Sequence, residues 1–158
     1  MSLKLINPPS VHDAWPTYSH VQTTPISPTC ILVTIAGQVG VDAKTKDIPS
    51  SHTEQVKLAL ENLRECLKSV GGTPKNLIKL NHYVVNLDPS DTSMSEILLD
   101  FMAGHRPPGT LVGVAALAHP KLLYEVEAMA IMNRDPGKCS GDWLRQRRVW
   151  RLRLSLAL

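Results

Sequence analysis

Residues 51–72 read SHTEQVKLALENLRECLKSVGG, and their spacing decides what kind of fold this chain has. Val56, Leu60, Leu63, Leu67 and Val70 recur at helical intervals and form one apolar stripe. Ser51 with Glu54 makes a capping-box pattern at the start, and Gly71-Gly72 stop the helix. Upstream, ILVTIAG (31–37) is a continuous β-branched run ending at a glycine, so it reads as a buried strand. The next residues, GQVGVD (37–42), predict a second short strand. Downstream, LIKLNHYVVNL (77–87) predicts a third strand, and Ser93 with Glu96 caps a shorter helix over SEILLDFMAG. TLVGVAALA (110–118) and LLYEVEAMAIM (122–132) predict two more strands, joined by a short turn at His119-Pro120. The order is β-β-α-β-α-β-β. Two helices able to cover the same face of one sheet predict a two-layer α+β domain over residues 1–132.

At 158 residues the chain fits one domain. No run approaches the ~20 apolar residues of a membrane span. The start, MSLKLINPPSVHDAW, carries neither a secretory nor a transit pattern, so a cytoplasmic protein is expected. Cys30, Cys66 and Cys139 are far apart and odd in number, which fits a reduced compartment. Cys30 and Cys66 read as buried small hydrophobes.

The net charge of +3 is unevenly spread. Residues 1–132 hold 10 Lys/Arg against 12 Asp/Glu, whereas residues 133–158 hold 7 Lys/Arg against 2 Asp. The body therefore has no electrostatic footprint for nucleic acid, and only seven aromatic residues are available for base stacking. Residues 133–158 read as a basic extension outside the core fold. In it WRLRLSLAL alternates Trp150, Leu152, Leu154, Leu156 and Leu158 with Arg151, Arg153, Ser155 and Ala157, the period of an edge strand. Two readings stay open for it: an arm for an acidic partner or membrane surface, or an extension with no packed structure.

The common signatures of catalysis are absent. The six histidines lack HxH, HExxH or a neighbouring Cys/Asp set at ligand spacing, so no metal is expected. There is no G-x-S-x-G, no Walker loop and no G-x-G-x-x-G, so no nucleotide cofactor is expected either. Gly37-Gln38-Val39-Gly40 matches GxxG, but it lies between strands rather than helices. What remains is LLYEVEAMAIM. Glu125 and Glu127 are two apart and project from one strand face with Leu123, Met129 and Ile131. A carboxylate on an apolar face is costly to bury unless paired. Either this face is partly wet, at a sheet rim or subunit boundary, or one carboxylate lines a pocket and handles protons.

Taken together, ILVTIAGQVGVD, EQVKLALENLRECLKSVGG, LIKLNHYVVNLDP and LVGVAALAHPKLLYEVEAMA resemble the RidA/YjgF/RutC family, in order, over residues 15–132. The resemblance implies a chorismate-mutase-like fold, assembly as a homotrimer, and small-metabolite pockets in the clefts between subunits. It also implies hydrolytic deamination of reactive imines and enamines without metal or organic cofactor. Position by position, the water-positioning glutamate falls on Glu125, its second glutamate on Glu127, and the tyrosine on Tyr18. The pocket turn keeps Gly37 and Gln38 but has Ala36 where the family has serine. The asparagine after the third strand corresponds to Asp88, and Leu111 lies beside the pocket.

The arginine that grips the substrate carboxylate falls on Gly109. A bidentate guanidinium–carboxylate pair suits that task, so its loss argues against ordinary 2-imino-acid deamination. Arg106 precedes Pro107-Pro108, whose polyproline geometry would point residues 106 and 109 to one side, about 9 Å apart. Arg106 reads either as a displaced cation or as a solvated loop residue. Two functions follow: water addition to a reactive imine or enamine, or a trimer that binds a small metabolite without turnover. Ribonuclease activity, a name some of the family carry, has no His/His or His/Lys pair to support it.

Overall fold

The computed structural model describes residues 2–133. The chain forms β1 (Lys4–Ile6), β2 (Val21–Ser27), β3 (Cys30–Val39), α1 (His52–Ser69), β4 (Leu77–Val85), α2 (Ser93–Met102), β5 (Gly109–Val114) and β6 (Tyr124–Asn133). Six strands make one sheet in the order β1-β2-β3-β6-β4-β5. All neighbours are antiparallel except β4 and β5, whose parallel pairing requires the α2 crossover.

The apolar stripe of α1 is the centre of the core. Val56, Leu60, Leu63 and Leu67 are each at most 2% exposed, and Ala59 and Cys66 join them. Full burial of one such leucine contributes roughly 1.5–3 kcal/mol. Ser51 is the N-cap, accepting from the Glu54 main-chain N–H, as its capping pattern required. Burial pushes the Cys66 thiol up to about 12, so it packs as a small hydrophobe rather than reacting. Against the stripe, β6 turns in Tyr124, Val126, Ala128, Ala130 and Met132, all buried. The helices cover this one face, and the other is left open: a two-layer α+β fold.

The β-β-α-β-α-β-β order holds for β2 to β6, with β1 added at one edge, but several boundaries differ from the sequence expectation. GQVGVD is not a separate strand. β3 runs on through Gln38 and Val39 across a register shift between Ile35 and Gln38, and the chain leaves the sheet at Gly40. The strand expected over 110–118 stops at Val114, because its one neighbour among the described residues, β4, ends at the paired Val85. The N-cap of α2 is Thr92 rather than Ser93, and Asp91 Oδ1 accepts the Ser93 N–H at 2.8 Å in place of a capping hydroxyl. β1 and β2 were not anticipated. The expectations for 134–158 and Cys139 lie outside the described residues.

Two polar residues on α1 tie the loops around the open end of the sheet. Asn62 Nδ2 donates to the Val39 and Val41 carbonyls at 2.9 and 3.0 Å. Gln55 Nε2 donates to Pro49 O and Lys121 O at 2.7 and 2.8 Å, and its Oε1 accepts from Leu123 N at 2.8 Å. These bonds fix the exit of β3 and the entry to β6, where the candidate site lies.

One buried polar pair makes stability depend on pH. His82, 6% exposed, shares a 2.7 Å hydrogen bond between Nδ1 and the Tyr124 hydroxyl. Burial lowers the His82 pKa from 6.5 to about 4. Protonation is thus easier unfolded than folded, and the unfolded chain binds the extra proton between those values. Stability should be full above pH ~6.5 and fall by about 3 kcal/mol as pH drops towards 4. Urea denaturation at stepped pH checks this, and His82→Phe should flatten the slope.

Candidate active site

The alternation of β6 that buries Tyr124 and Val126 sends Glu125, Glu127, Met129 and Ile131 to the open face. Met129 and Ile131 are exposed, whereas both glutamates are half-buried. Glu127 is committed to its neighbours on β4: Asn81 Nδ2 donates to its Oε1 at 2.7 Å and the Tyr83 hydroxyl at 3.0 Å. That bond in turn raises the Tyr83 pKa.

Glu125 has a different setting. It lies at the register shift of β3, where Val39 is its Cα partner, and its side chain runs over Gly37. A Cβ at position 37 would stand only 2.6 Å from Glu125 Cδ and would overlap the carboxylate. Glycine at 37 is therefore what lets this carboxylate sit where it does. Burial, and then the charge of Glu127, raise the Glu125 pKa above the usual carboxylate range. A carboxyl that holds its proton to higher pH is a better proton donor candidate than a free one.

Glu125 and Gly37 line a cleft of about 710 Å³ together with Tyr18, His12, Lys46 and Leu122. Burial first, and the Glu125 charge to a smaller degree, raise the Tyr18 pKa, so its hydroxyl remains a donor. The segment carrying Tyr18 is fastened by a buried network. His20 Nε2 donates to His12 O at 2.7 Å, and Gln38 Nε2 donates to both Ala36 O at 2.9 Å and His20 Nδ1 at 3.2 Å. These contacts assign His20 the neutral Nε2–H tautomer, and burial lowers its pKa accordingly. Gln38 is fully buried and so acts through His20 to hold the Tyr18 wall.

The remaining residues singled out from the sequence lie elsewhere in the chain. Asp88 and Leu111 line a second cavity of about 500 Å³, with His52 and Met94. Asp88 Oδ1 accepts from Ser90 N and Oγ at 2.9 and 2.7 Å, which lowers its pKa and commits it to a turn. Gly109 opens the edge strand β5 opposite Leu80, and Arg106 is exposed in the connection before it. Val112 and Glu125 both pair with Tyr83, so strand spacing puts Gly109 about 14 Å from Glu125. The chain thus brings together Tyr18, Gly37 and Glu125, and does not bring Asp88, Arg106, Gly109 or Leu111 to them. Among the described residues no group of three or more His, Cys, Asp or Glu could hold a metal ion. No described helix is long and apolar enough to cross a membrane.

Sequence reading missed His12 and Lys46 in the cleft, and Asn81 and Tyr83 as the clamp on Glu127. Period-two spacing along LIKLNHYVV offered a signal for the last two. His12 and Lys46 lie in segments without periodicity.

A sheet with one face covered by two helices, and a half-buried carboxylate seated over a glycine bulge in a cleft on the open side, defines a small α+β protein. The chain belongs to the family described as Endoribonuclease L-PSP, whose model matches residues 13–132. Among its relatives is the mouse 2-iminobutanoate/2-iminopropanoate deaminase, 33% identical over 98 residues, 61% of this chain and 71% of that protein. The RutC family protein PH0854 of Pyrococcus horikoshii is 31% identical over 61% of this chain and 75% of its own length. The structure of Escherichia coli TdcF with bound serine has the same fold, with a TM-score of 0.68 at 23% identity over 82% of this chain and 98% of that one.

Proposed function

We propose that this protein hydrolyses small reactive imines and their enamine tautomers, with Glu125 as the proton carrier. The observation that carries the reading is the half-buried Glu125 carboxyl, held over Gly37 and facing the same cleft as Tyr18. In the reaction, water adds to the C=N carbon while Glu125 takes a proton from it. The nitrogen is protonated in turn, and collapse of the adduct breaks the C–N bond to leave a carbonyl and ammonia. An enamine first accepts a proton at its terminal carbon from a protonated Glu125, which gives the iminium, and the carboxylate left behind then takes the proton from the attacking water. Tyr18 donates a hydrogen bond that places the water. The deaminase name of the mouse relative supports this chemistry for the class.

The active assembly in this reading is a cytoplasmic homotrimer built from the 1–132 domain, with the basic 133–158 extension outside the core. Exposed Leu5, Val112, Met129 and Ile131 on the uncovered side of the sheet support burial between copies. Such packing would let a neighbour's Gly109, Leu111, Asp88 and Arg106 complete the pocket that one protomer leaves open. Native mass measurement should give three chains per particle, and a monomer would contradict the shared pocket.

Ammonia release from freshly generated 2-aminoacrylate tests the activity: acceleration over the uncatalysed rate is expected, with a high KM because no arginine stands at 109, and no acceleration at any substrate concentration would refute the hydrolase. A Cβ at position 109 would have Leu80 O, at 3.8 Å, as its one neighbour within 4 Å among the described residues, so the start of a side chain fits there. Gly109→Arg should therefore fold and lower the KM for an imino acid by about 10–100-fold, the effect of a charged hydrogen bond.

A further inference from the structure

We infer that the Glu125 cleft takes an uncharged imine bearing an aromatic or branched apolar group, and that Trp15 at its lip selects for that group. The inference rests on the hydrolase reading of the cleft and names its substrate class. Hydrolysis of such an imine needs only water. A C–O bond forms, the C–N bond breaks, and the water protons pass by way of Glu125 to the departing ammonia, leaving a neutral aldehyde or ketone.

The charges on the lining disfavour an anion. Asp13 and Glu125 line the cleft with Lys46, the one Lys or Arg there among the described residues. Lys46 Nζ meets Asp13 Oδ2 at 2.9 Å, so its charge already has a partner. With Glu125 ionised, two carboxylates stand against one ammonium. The two histidines of the lining leave that balance unchanged. Burial lowers the pKa of His12, and His119 Nδ1 accepts from Lys121 N at 3.2 Å, a contact of the neutral ring. A substrate carboxylate would bring a further negative charge beside Glu125, and like charges repel.

Much of the remaining lining is apolar and fixed in place. Val39 and Leu122 are buried, Val41 and Ile48 half-buried, and Ala118 and Trp15 exposed. Asn62 holds the Val39 and Val41 carbonyls, and Gln55 holds Pro49 O and Leu123 N next to Ile48 and Leu122. This wall is therefore preformed, as ligand pockets usually are. Trp15 is 74% exposed, more than any other large apolar side chain among the described residues. A tight turn holds it there: Trp15 O accepts from Tyr18 N at 3.2 Å around Pro16, whose ring presets the bend. One turn thus carries the indole and the water-placing Tyr18 to the same cleft. At about 710 Å³ that cleft has far more room than an imine as small as 2-aminoacrylate fills.

Calorimetry on the full chain can compare two ketones of matched shape, 4-phenyl-2-butanone and 2-oxo-4-phenylbutanoate, in which a carboxylate replaces a methyl. The neutral ketone should bind more tightly by about 10-fold or more. Trp15→Ala should weaken its binding by about 3–10-fold, the worth of one aromatic pair, and Trp15→Phe should keep most of the affinity. Both variants should keep the wild-type melting temperature, because Trp15 is exposed. Tighter binding of 2-oxo-4-phenylbutanoate would overturn the inference, whichever cation held it. So would a Trp15→Ala protein that binds 4-phenyl-2-butanone as well as wild type does. Binding of the neutral ketone as expected, with no faster ammonia release from its freshly generated imine or from 2-aminoacrylate, would sink the hydrolase and leave the apolar site standing. Faster ammonia release with the carboxylate ketone preferred would do the reverse.

Discussion

Replacing Glu125 by glutamine should lower the rate of ammonia release by about 10²–10⁴-fold, the range for losing a positioned general acid–base. Glutamine keeps the length and planar end of the side chain, so the cleft keeps its shape. It cannot carry the proton that water gives up or that the leaving nitrogen needs. The loss should therefore appear in kcat, with KM and the melting temperature little changed. Glu127→Gln makes the contrast, because Glu127 is held by Asn81 and Tyr83 rather than left to the cleft. Removing its charge takes away one of the two influences that raise the Glu125 pKa, burial being the larger. The pH profile of that variant should shift towards acid while activity persists. If Glu125→Gln retained full kcat, the proton would have to travel by another group.

Gly37→Ala should cost nearly as much in activity while leaving the protein folded. The added methyl would overlap the end of Glu125, a flexible side chain that can swing away. Because what must move is a side chain and not backbone, the fold should tolerate the change with little loss of melting temperature. The carboxyl, however, would be displaced by an ångström or more, and misplacement of that size costs on the order of 10² in rate. Gly40→Ala is the informative control. There a Cβ would stand 2.6 Å from the Gln55 Cα, backbone that cannot swing aside, so stability rather than catalysis should fail. A fully active Gly37→Ala protein would mean that the seat of Glu125 over Gly37 does not matter to the chemistry.

Much of the fold is legible in the sequence because its centre is built from strong periodicities. The α1 stripe and the alternation of β6 each show up residue by residue, and the second also shows that Glu125 and Glu127 share the open face. β2 is hidden because VQTTPIS mixes polar residues with Pro25, and only pairing with β3 makes it a strand. The wall of the cleft from His12 to His20 has no period at all, being held by the buried His20–Gln38 network. Spacing also cannot show that Gly109 and Leu111 lie two strands away from Glu125, a separation set by the insertion of β4 between β6 and β5.

We propose that the Glu125 cleft turns its ligand over rather than storing it. The most direct measurement follows the disappearance of 2-aminoacrylate at fixed initial concentration as catalytic amounts of protein are added. Loss should accelerate in proportion to wild-type protein, with Glu125→Gln close to the uncatalysed rate. A rate unchanged or slowed by wild-type protein would contradict it and identify a protein that binds and shelters the intermediate.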